Sequence, residues 1–460
     1  MAEPAPGHRP GDTTQGESMT QRGCCGRRVG IVGAGADGLS AARHLLQGGY
    51  QVTVFEAGSH VGGLWVYDND NGLGVAYDSL HINSDRRATA FRGYPFPAGT
   101  PMFPSHRQVA AYLDGAADVF GLRPHIRLNH RVTNVSPVRD RSAGAWRVHV
   151  HGGGEETFDA VVVASGHQGI PAHPDWAPDF GGCYLHSHAY RSPRPFADQR
   201  VLVVGVGNSG LDIAADLAPL AAQTYSAARS PVLIMPRMFL GMPSAQVLGV
   251  LSKPWMPWPV QRQIMRTISR ISFGSMEQWG LRTPSKRTHP ASTATYMAHV
   301  AYQAITVKPG VAGVAGQAVT FTDGSVAEVD TVIAATGYHI DLPFLSGDLA
   351  PVTDRRLEAF RRIFHPRWPG LFFIGFFNVS GGANIAMMDV QSELLMAVMD
   401  GRVSLPSSAA MRADIAAEHR WMAGRYPSAA RYGLELDPYR YRRQVAAALR
   451  RGSCSTGRLP

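Results

Sequence analysis

The run Arg28-Val-Gly-Ile-Val-Gly33-Ala-Gly35-Ala-Asp-Gly38 decides how the chain begins to fold. The apolar residues before Gly33 read as a buried strand, the three glycines as a turn, and residues 36–48 as a helix. The GxGxxG spacing alone carries little weight. With 50 Gly in 460 residues, a bare match arises by chance roughly 0.6 times. The surroundings give it meaning. The next strand, Gln51-Val-Thr-Val-Phe-Glu56, ends on an acid 23 residues after Gly33. Gly33 permits the tight turn, Gly35 lets the backbone approach a pyrophosphate, and Gly38 allows the helix to lie against the strand. The helix N-terminus faces the anion, and Glu56 can accept hydrogen bonds from ribose hydroxyls.

Gly205-Val-Gly207-Asn-Ser-Gly210 repeats the arrangement after the apolar run at 200–206. Here the acid is missing: no Asp or Glu occurs from Gln223 to Arg237. Ser226 and Arg229 stand at the corresponding strand end, with Arg237 further on. A carboxylate repels a ribose 2′-phosphate, whereas Arg and a hydroxyl bind it. The second site therefore reads as NADPH-selective. Ser209, at the start of the following helix, suits either pyrophosphate binding or helix capping.

Two dinucleotide sites in one chain restrict function. A nicotinamide alone needs one, and a second suggests a flavin that accepts its hydride. A disulfide reductase would carry a redox Cys pair behind the first turn, but residues 57–100 contain no Cys. That excludes dithiol chemistry. Oxygen activation, simple oxidase turnover and electron transfer to a partner remain.

The rest of the chain sets the frame. Its length suggests two or three domains. No apolar run reaches the roughly 18 residues of a membrane helix. Four Cys (24, 25, 183, 454) make neither a zinc framework nor a disulfide scaffold, so a reduced, cytoplasmic, soluble protein is expected, with no metal site. The formal charge is +9, and residues 411–460 hold ten Arg against four acids. The spacing of those Arg is diffuse and shows no nucleic-acid motif, so this basic C-terminal segment reads as a solvated face. Further strands are expected at 131–138, 145–151, 157–165, 224–229, 304–309, 317–322, 331–335 and 371–376, with helices near 209–221 and 385–400. Residues 230–290 read as irregular, with an amphipathic stretch at 259–272, and no solenoid-type repeat is seen. Alternating strands and helices imply an α/β fold with two Rossmann-like, parallel-sheet domains.

Between the two turns lies Phe180-Gly-Gly182-Cys-Tyr-Leu-His186-Ser-His-Ala-Tyr190. It resembles the FxGxxxHxxx(F/Y) motif of flavin-containing monooxygenases. Other segments agree in order: Gly62-Gly63-Leu-Trp65, Leu80-His-Ile-Asn83-Ser, Tyr94-Pro-Phe-Pro97, Ala335-Thr336-Gly337-Tyr338, and Phe373-Ile-Gly375-Phe with Gln391 on the helix after it. The similarity spans residues 28–405. It implies FAD and NADPH as cofactors, and formation of a C4a-(hydro)peroxyflavin whose terminal oxygen passes to amine nitrogen or sulfide sulfur. Asn83 matches the family's asparagine beside the flavin, with a turn-capping amide as the plainer reading. Gly63, Trp65, Thr336, Gly337 and Gln391 join the cofactor-binding residues, and His186 and Tyr190 are read as shaping the interdomain cleft.

The resemblance also implies that the NADPH domain is inserted into a discontinuous FAD domain. The boundaries are a disordered tail at 1–27, FAD-binding parts at 28–170 and 331–405, an NADPH domain at 171–330 carrying the 230–290 insert, and a basic helical segment at 406–460. Molecular oxygen and a small organic molecule are the expected partners, without nucleic acid or an integral membrane segment. The oligomeric state is left open, a homodimer being among the assemblies allowed. Tyr190 stands where Baeyer–Villiger relatives usually carry Trp, so ketone oxygenation is the alternative activity; a flavin-binding regulator without turnover is another. The insert could line a substrate tunnel, contact a membrane surface or simply pack on the NADPH domain.

Overall fold

The computed structural model describes residues 26–138, 145–251, 255–353, 356–379, 384–427 and 432–455, with side chains to 451. The expectations for residues 1–25, with Cys24 and Cys25, and for the Cys454 side chain lie outside them. Arg28–Val32 is the central strand of a five-stranded parallel sheet. The strand order is Leu371–Phe373, Ala160–Val163, Arg28–Val32, Gln51–Phe55, Ile126–Arg127. These strands are apolar on both faces because both faces are covered. Val29, Ile31, Ala160 and Val162 pack with helices Ala36–Gln47, His106–Val119 and Asn384–Met399. Val32, Phe55, Val161 and Val163 pack beneath an antiparallel meander of Val132–Pro137, Trp146–Val150 and Glu155–Phe158.

The strand expected at 157–165 is two strands. Glu155–Phe158 closes the meander and Ala160–Val163 enters the parallel sheet. The break falls at Asp159, whose carboxylate accepts from the Arg28 N–H at 2.7 Å. Its own N–H donates to the Arg28 carbonyl at 2.8 Å. One residue thus fastens the returning chain to the start of the central strand.

The second sheet is also parallel: Ile305–Pro309, Gln223–Ala228, Arg200–Val204, Thr331–Ala334, Cys183–His186. Thr331–Ala334 therefore belongs to this domain and corrects the boundary set at 331. Its pairing with Arg200–Val204 is non-local, so its apolar sequence did not say which sheet it would join. The chain crosses between the domains on a two-stranded ribbon in which Tyr338–His339 pairs with Ile170–Pro171.

The 230–290 insert is more regular than expected. It holds helices Ser244–Leu251 and Trp258–Phe273 around a small core of Leu233, Met235, Val247 and Ile268. The C-terminal segment forms helices Ser408–Arg425 and Pro438–Ser455, with Met411, Ile415, Tyr441 and Val445 in the first domain's core. Within it Arg440 pairs with Glu418 at 2.7 Å, while its Asp414 and Asp437 pair with Arg361 and Arg287 of the preceding chain at 2.7 and 2.8 Å. Among the described residues no helix is long and apolar enough to cross a membrane.

Candidate active site at the two glycine turns

The two turns are built alike. The Gly33 N–H donates to the Phe55 carbonyl at 2.8 Å, and the Gly205 N–H to the Ala227 carbonyl at 3.0 Å. Both glycines have positive φ, +107° and +115°. A Cβ at Gly33 would lie 2.4 Å from the Ala164 carbonyl oxygen, and one at Gly205 would lie 2.4 Å from that of Ala335. Gly38 and Gly210 are equally constrained, since a Cβ on either would stand 1.9 Å from the carbonyl of the first glycine. The middle glycines differ. A Cβ at Gly207 would meet no protein atom within 4 Å, and one at Gly35 only the Gly63 Cα at 3.7 Å. The fold does not require glycine there. Both residues are helix N-caps without a side-chain cap, so the first helical N–H groups remain for a ligand.

A cavity of about 760 Å³ joins the turns. Gly33, Gly35, Glu56, Gly63, Trp65, Asn83 and Ser209 line it, as do Met235, Ala245 and Leu248 of the insert. Glu56 is buried and accepts from the Ala34 N–H at 2.8 Å and the Gly58 N–H at 2.9 Å. Its carboxylate therefore shapes the turn as well as facing the cavity. The Asn83 Oδ1 is buried and accepts no hydrogen bond from the described residues, which removes its reading as a capping acceptor. Arg237, also on the cavity wall, bonds both oxygens of Asp212 at 3.0 and 3.1 Å. Burial lifts Asp212 to about 6, and Arg237 counters that.

Several predicted residues stand elsewhere. Ser226 is fully buried and accepts from the Tyr296 hydroxyl at 3.0 Å, so it faces the interior of the domain rather than a 2′-phosphate. The sheet registers place Ala228 opposite Gly205 where Glu56 stands opposite Gly33. Arg229 follows it, exposed and outside the cavity lining. Thr336 donates to the Ala172 carbonyl at 2.5 Å, and the Gly337 carbonyl accepts from Ala172. Both secure the interdomain ribbon and neither lines the cavity. Gln391 is wholly buried and accepts from the Gly375 N–H at 3.0 Å. It supports the cavity turn at Gly375 without reaching the cavity.

His186 rests beside Tyr338 of the ribbon, and burial lowers it to about 4, so it is neutral near pH 7. Tyr190 is buried and donates to Asp216 at 3.1 Å. Two cavity residues escaped the sequence reading. Asp37 sits inside the first glycine motif, where an acid in the second helical position was a visible signal. His167 follows Ser165-Gly166, the counterpart of Thr336-Gly337, a correspondence seen once both sheets are known.

The chain matches the family described as flavin-binding monooxygenase-like over residues 26–450. The chain belongs to the flavin-binding monooxygenase family. Among relatives of this monooxygenase, rat dimethylaniline monooxygenase [N-oxide-forming] 2 is 31% identical over 413 residues, covering 85% of this chain and 76% of that protein. S-allyl-L-cysteine S-oxygenase from Allium sativum has a similar structure, with TM-score 0.70 and 26% identity, covering 93% and 89% of the two chains. Cyclohexanone monooxygenase from Rhodococcus sp. Phi1, bound to NADP+, shares the fold at TM-score 0.69 and 16% identity, over 93% and 98%. With the family come its cofactors, FAD and NADPH. The residues of this flavoprotein fit both. Each turn offers uncapped helical N–H groups beside a middle glycine that no neighbouring backbone forces to be glycine, and Asn83 brings an unpaired acceptor between them.

Proposed function

We propose that the chain is an NADPH-dependent monooxygenase that transfers one atom of O2 to the amine nitrogen or sulfide sulfur of a small organic molecule. The observation that supports this best is the buried, unpaired Asn83 Oδ1 in a cavity common to both glycine turns. A flavin held at the Gly33–Gly38 turn would supply the hydride-accepting and oxygen-activating chemistry. The chain binds, orients and shields. Helix N-termini at Ala36 and Asn208 meet the phosphates. Trp65, Leu73, Ile82, Met235 and Leu248 give an apolar wall that keeps water from the reacting oxygen. Asn83 both donates and accepts without changing protonation, so it orients a reacting group without handing it a proton. The cation at Arg229, with no acid at the strand end, favours NADPH over NADH. Transfer to nitrogen or sulfur follows the named activities of the rat and Allium relatives.

Isotopically labelled O2 with a panel of tertiary amines, sulfides and ketones tests this. Label should enter an N-oxide or S-oxide in step with NADPH consumption. Oxidation of NADPH solely to hydrogen peroxide with every substrate would overturn it, and label in an ester from a ketone would reassign the substrate class. Replacing Asn83→Ala should leave flavin content and NADPH affinity near those of the parent. Product per NADPH should fall on the order of 10²-fold, as when an oriented hydrogen-bonding amide is removed from an active site.

A further inference from the structure

Asp37 occupies the second position of helix Ala36–Gln47, in the turn that receives FAD. The same position of the second turn holds Ser209, a neutral hydroxyl. Asp37 lines the cavity and is pressed against Gly375, where a Cβ would stand 2.2 Å from its Oδ2 and 2.5 Å from its Cγ. Gly375 is held in turn by Gln391, so the carboxyl is wedged between helix and turn with its remaining side toward the cavity.

No described group close to it offers a compensating charge. Gly33–Gly35 and Gly62–Trp65 carry none, nor do Gly375, Phe376, Phe377 and Asn378, nor the cavity-facing Asn384, Ile385 and Met388 of helix Asn384–Met399. His167 bonds the backbone of Phe377, and burial lowers it to about 4, leaving it neutral. Asp389, further along, is occupied by Ser40, His44 and the Arg92 N–H. Burial without a cation lifts Asp37 to about 7, its own N–H opposing that only in part.

We propose that Asp37 is a cofactor-binding residue that carries a proton while FAD is bound and donates it to a FAD oxygen, so that FAD uptake takes up a proton. The chemistry leaves little alternative. An ionised carboxylate would compete with the pyrophosphate for the same helix N-terminus and repel it. Protonated, the acid is an O–H donor in the place of Ser209. FAD itself has no group that titrates between neutral and mildly alkaline pH, so the pH dependence of binding reports the protein.

The test is FAD release from the holoenzyme on dilution, read as recovered flavin fluorescence from about pH 6 to about pH 9. In the parent protein, FAD affinity should be level at the acid end and fall up to tenfold per pH unit above about 7, the slope of one linked proton. Asp37→Ser and Asp37→Asn should lose this slope and, near pH 9, retain FAD at least tenfold more tightly than the parent. A flat profile for the parent, affinity that rises with pH, or a slope that survives in both variants would overturn the proposal. The readout is cofactor retention rather than turnover, so failure here leaves the oxygen-transfer reading untouched.

Discussion

Arg28 and Asp159 close the first sheet as Arg200 and Asp330 close the second, with the partners 131 and 130 residues apart in sequence. In each pair the Arg N–H donates to the Asp carboxylate, at 2.7 and 2.8 Å, and the Asp N–H donates back to the Arg carbonyl at 2.8 Å. Each Asp follows an antiparallel meander and opens a strand that ends in a small-residue turn, Ala164-Ser165-Gly166 or Ala335-Thr336-Gly337. The two halves are one scaffold used twice. They part at Glu56 against Ala228 and Arg229, and at Asp37 against Ser209. On the function proposed above, the shared scaffold would set where a dinucleotide lies and these side chains which one is accepted.

The largest effects should come from breaking the shared part. In Gly38→Ala and Gly210→Ala the new Cβ would meet a backbone carbonyl at 1.9 Å, which only a shift of the helix can relieve. Each change should cost at least about 3 kcal/mol of stability. Gly38→Ala should purify without flavin absorbance, and Gly210→Ala should keep its flavin but fail to be reduced by NADPH. Gly207→Ala separates fold from ligand: its Cβ meets no protein atom within 4 Å, so melting should be unchanged while the KM for NADPH rises. Equal melting temperatures for Gly207→Ala and Gly210→Ala would break the comparison.

Smaller effects should come from the positions that differ. Arg229→Ala removes a charge-assisted contact and should weaken NADPH roughly 10- to 100-fold, leaving NADH nearly unchanged. Ala228→Glu writes the first domain's acid into the second, where Val206 holds the motif position that Ala34, whose N–H donates to Glu56, holds in the first. NADPH use should fall and the preference move toward NADH. Steady-state kcat/KM for the two coenzymes checks both. Equal losses for NADH and NADPH would show that Arg229 does not read the 2′-phosphate.

How much of this was legible depended on whether the deciding contact was local. The strand–turn–helix units at 28–47 and 200–217 were readable, because glycine spacing and apolar runs act within a dozen residues. The cavity-lining Glu56, Trp65 and Asn83 were readable as motif positions. The split at Asp159 and the allegiance of Thr331–Ala334 were not, since both are decided by pairing with strands some 130 residues earlier. The paired glycine turns showed that the strand–turn–helix unit occurs twice. That the Arg–Asp clasp and the meander repeat with it was not visible, because the clasp joins residues some 130 positions apart. Gln391 lies on a helix apolar on nearly every face, so nothing in its surroundings said that its amide supports Gly375 rather than a cofactor. Ser226 failed for the same reason, its partner Tyr296 being 70 residues away.

Ser226 also gives the finest test of the comparison. The registers place it in its sheet where Val54 lies in the first, and both are fully buried. Ser226→Val therefore copies the first domain at a buried site whose hydroxyl is already engaged by Tyr296. Tyr296 would lose its acceptor in a buried setting, where an unpaired hydroxyl costs about 1–3 kcal/mol. The melting temperature should drop slightly, with the KM for NADPH within about twofold of the parent. Adding Tyr296→Phe removes the stranded donor, and since replacing both partners by apolar groups can be nearly neutral, stability should return. A rise in the KM for NADPH in Ser226→Val that Tyr296→Phe does not reverse would put Ser226 back in contact with the coenzyme, and ligand choice would then reach deeper into the second sheet than its strand end.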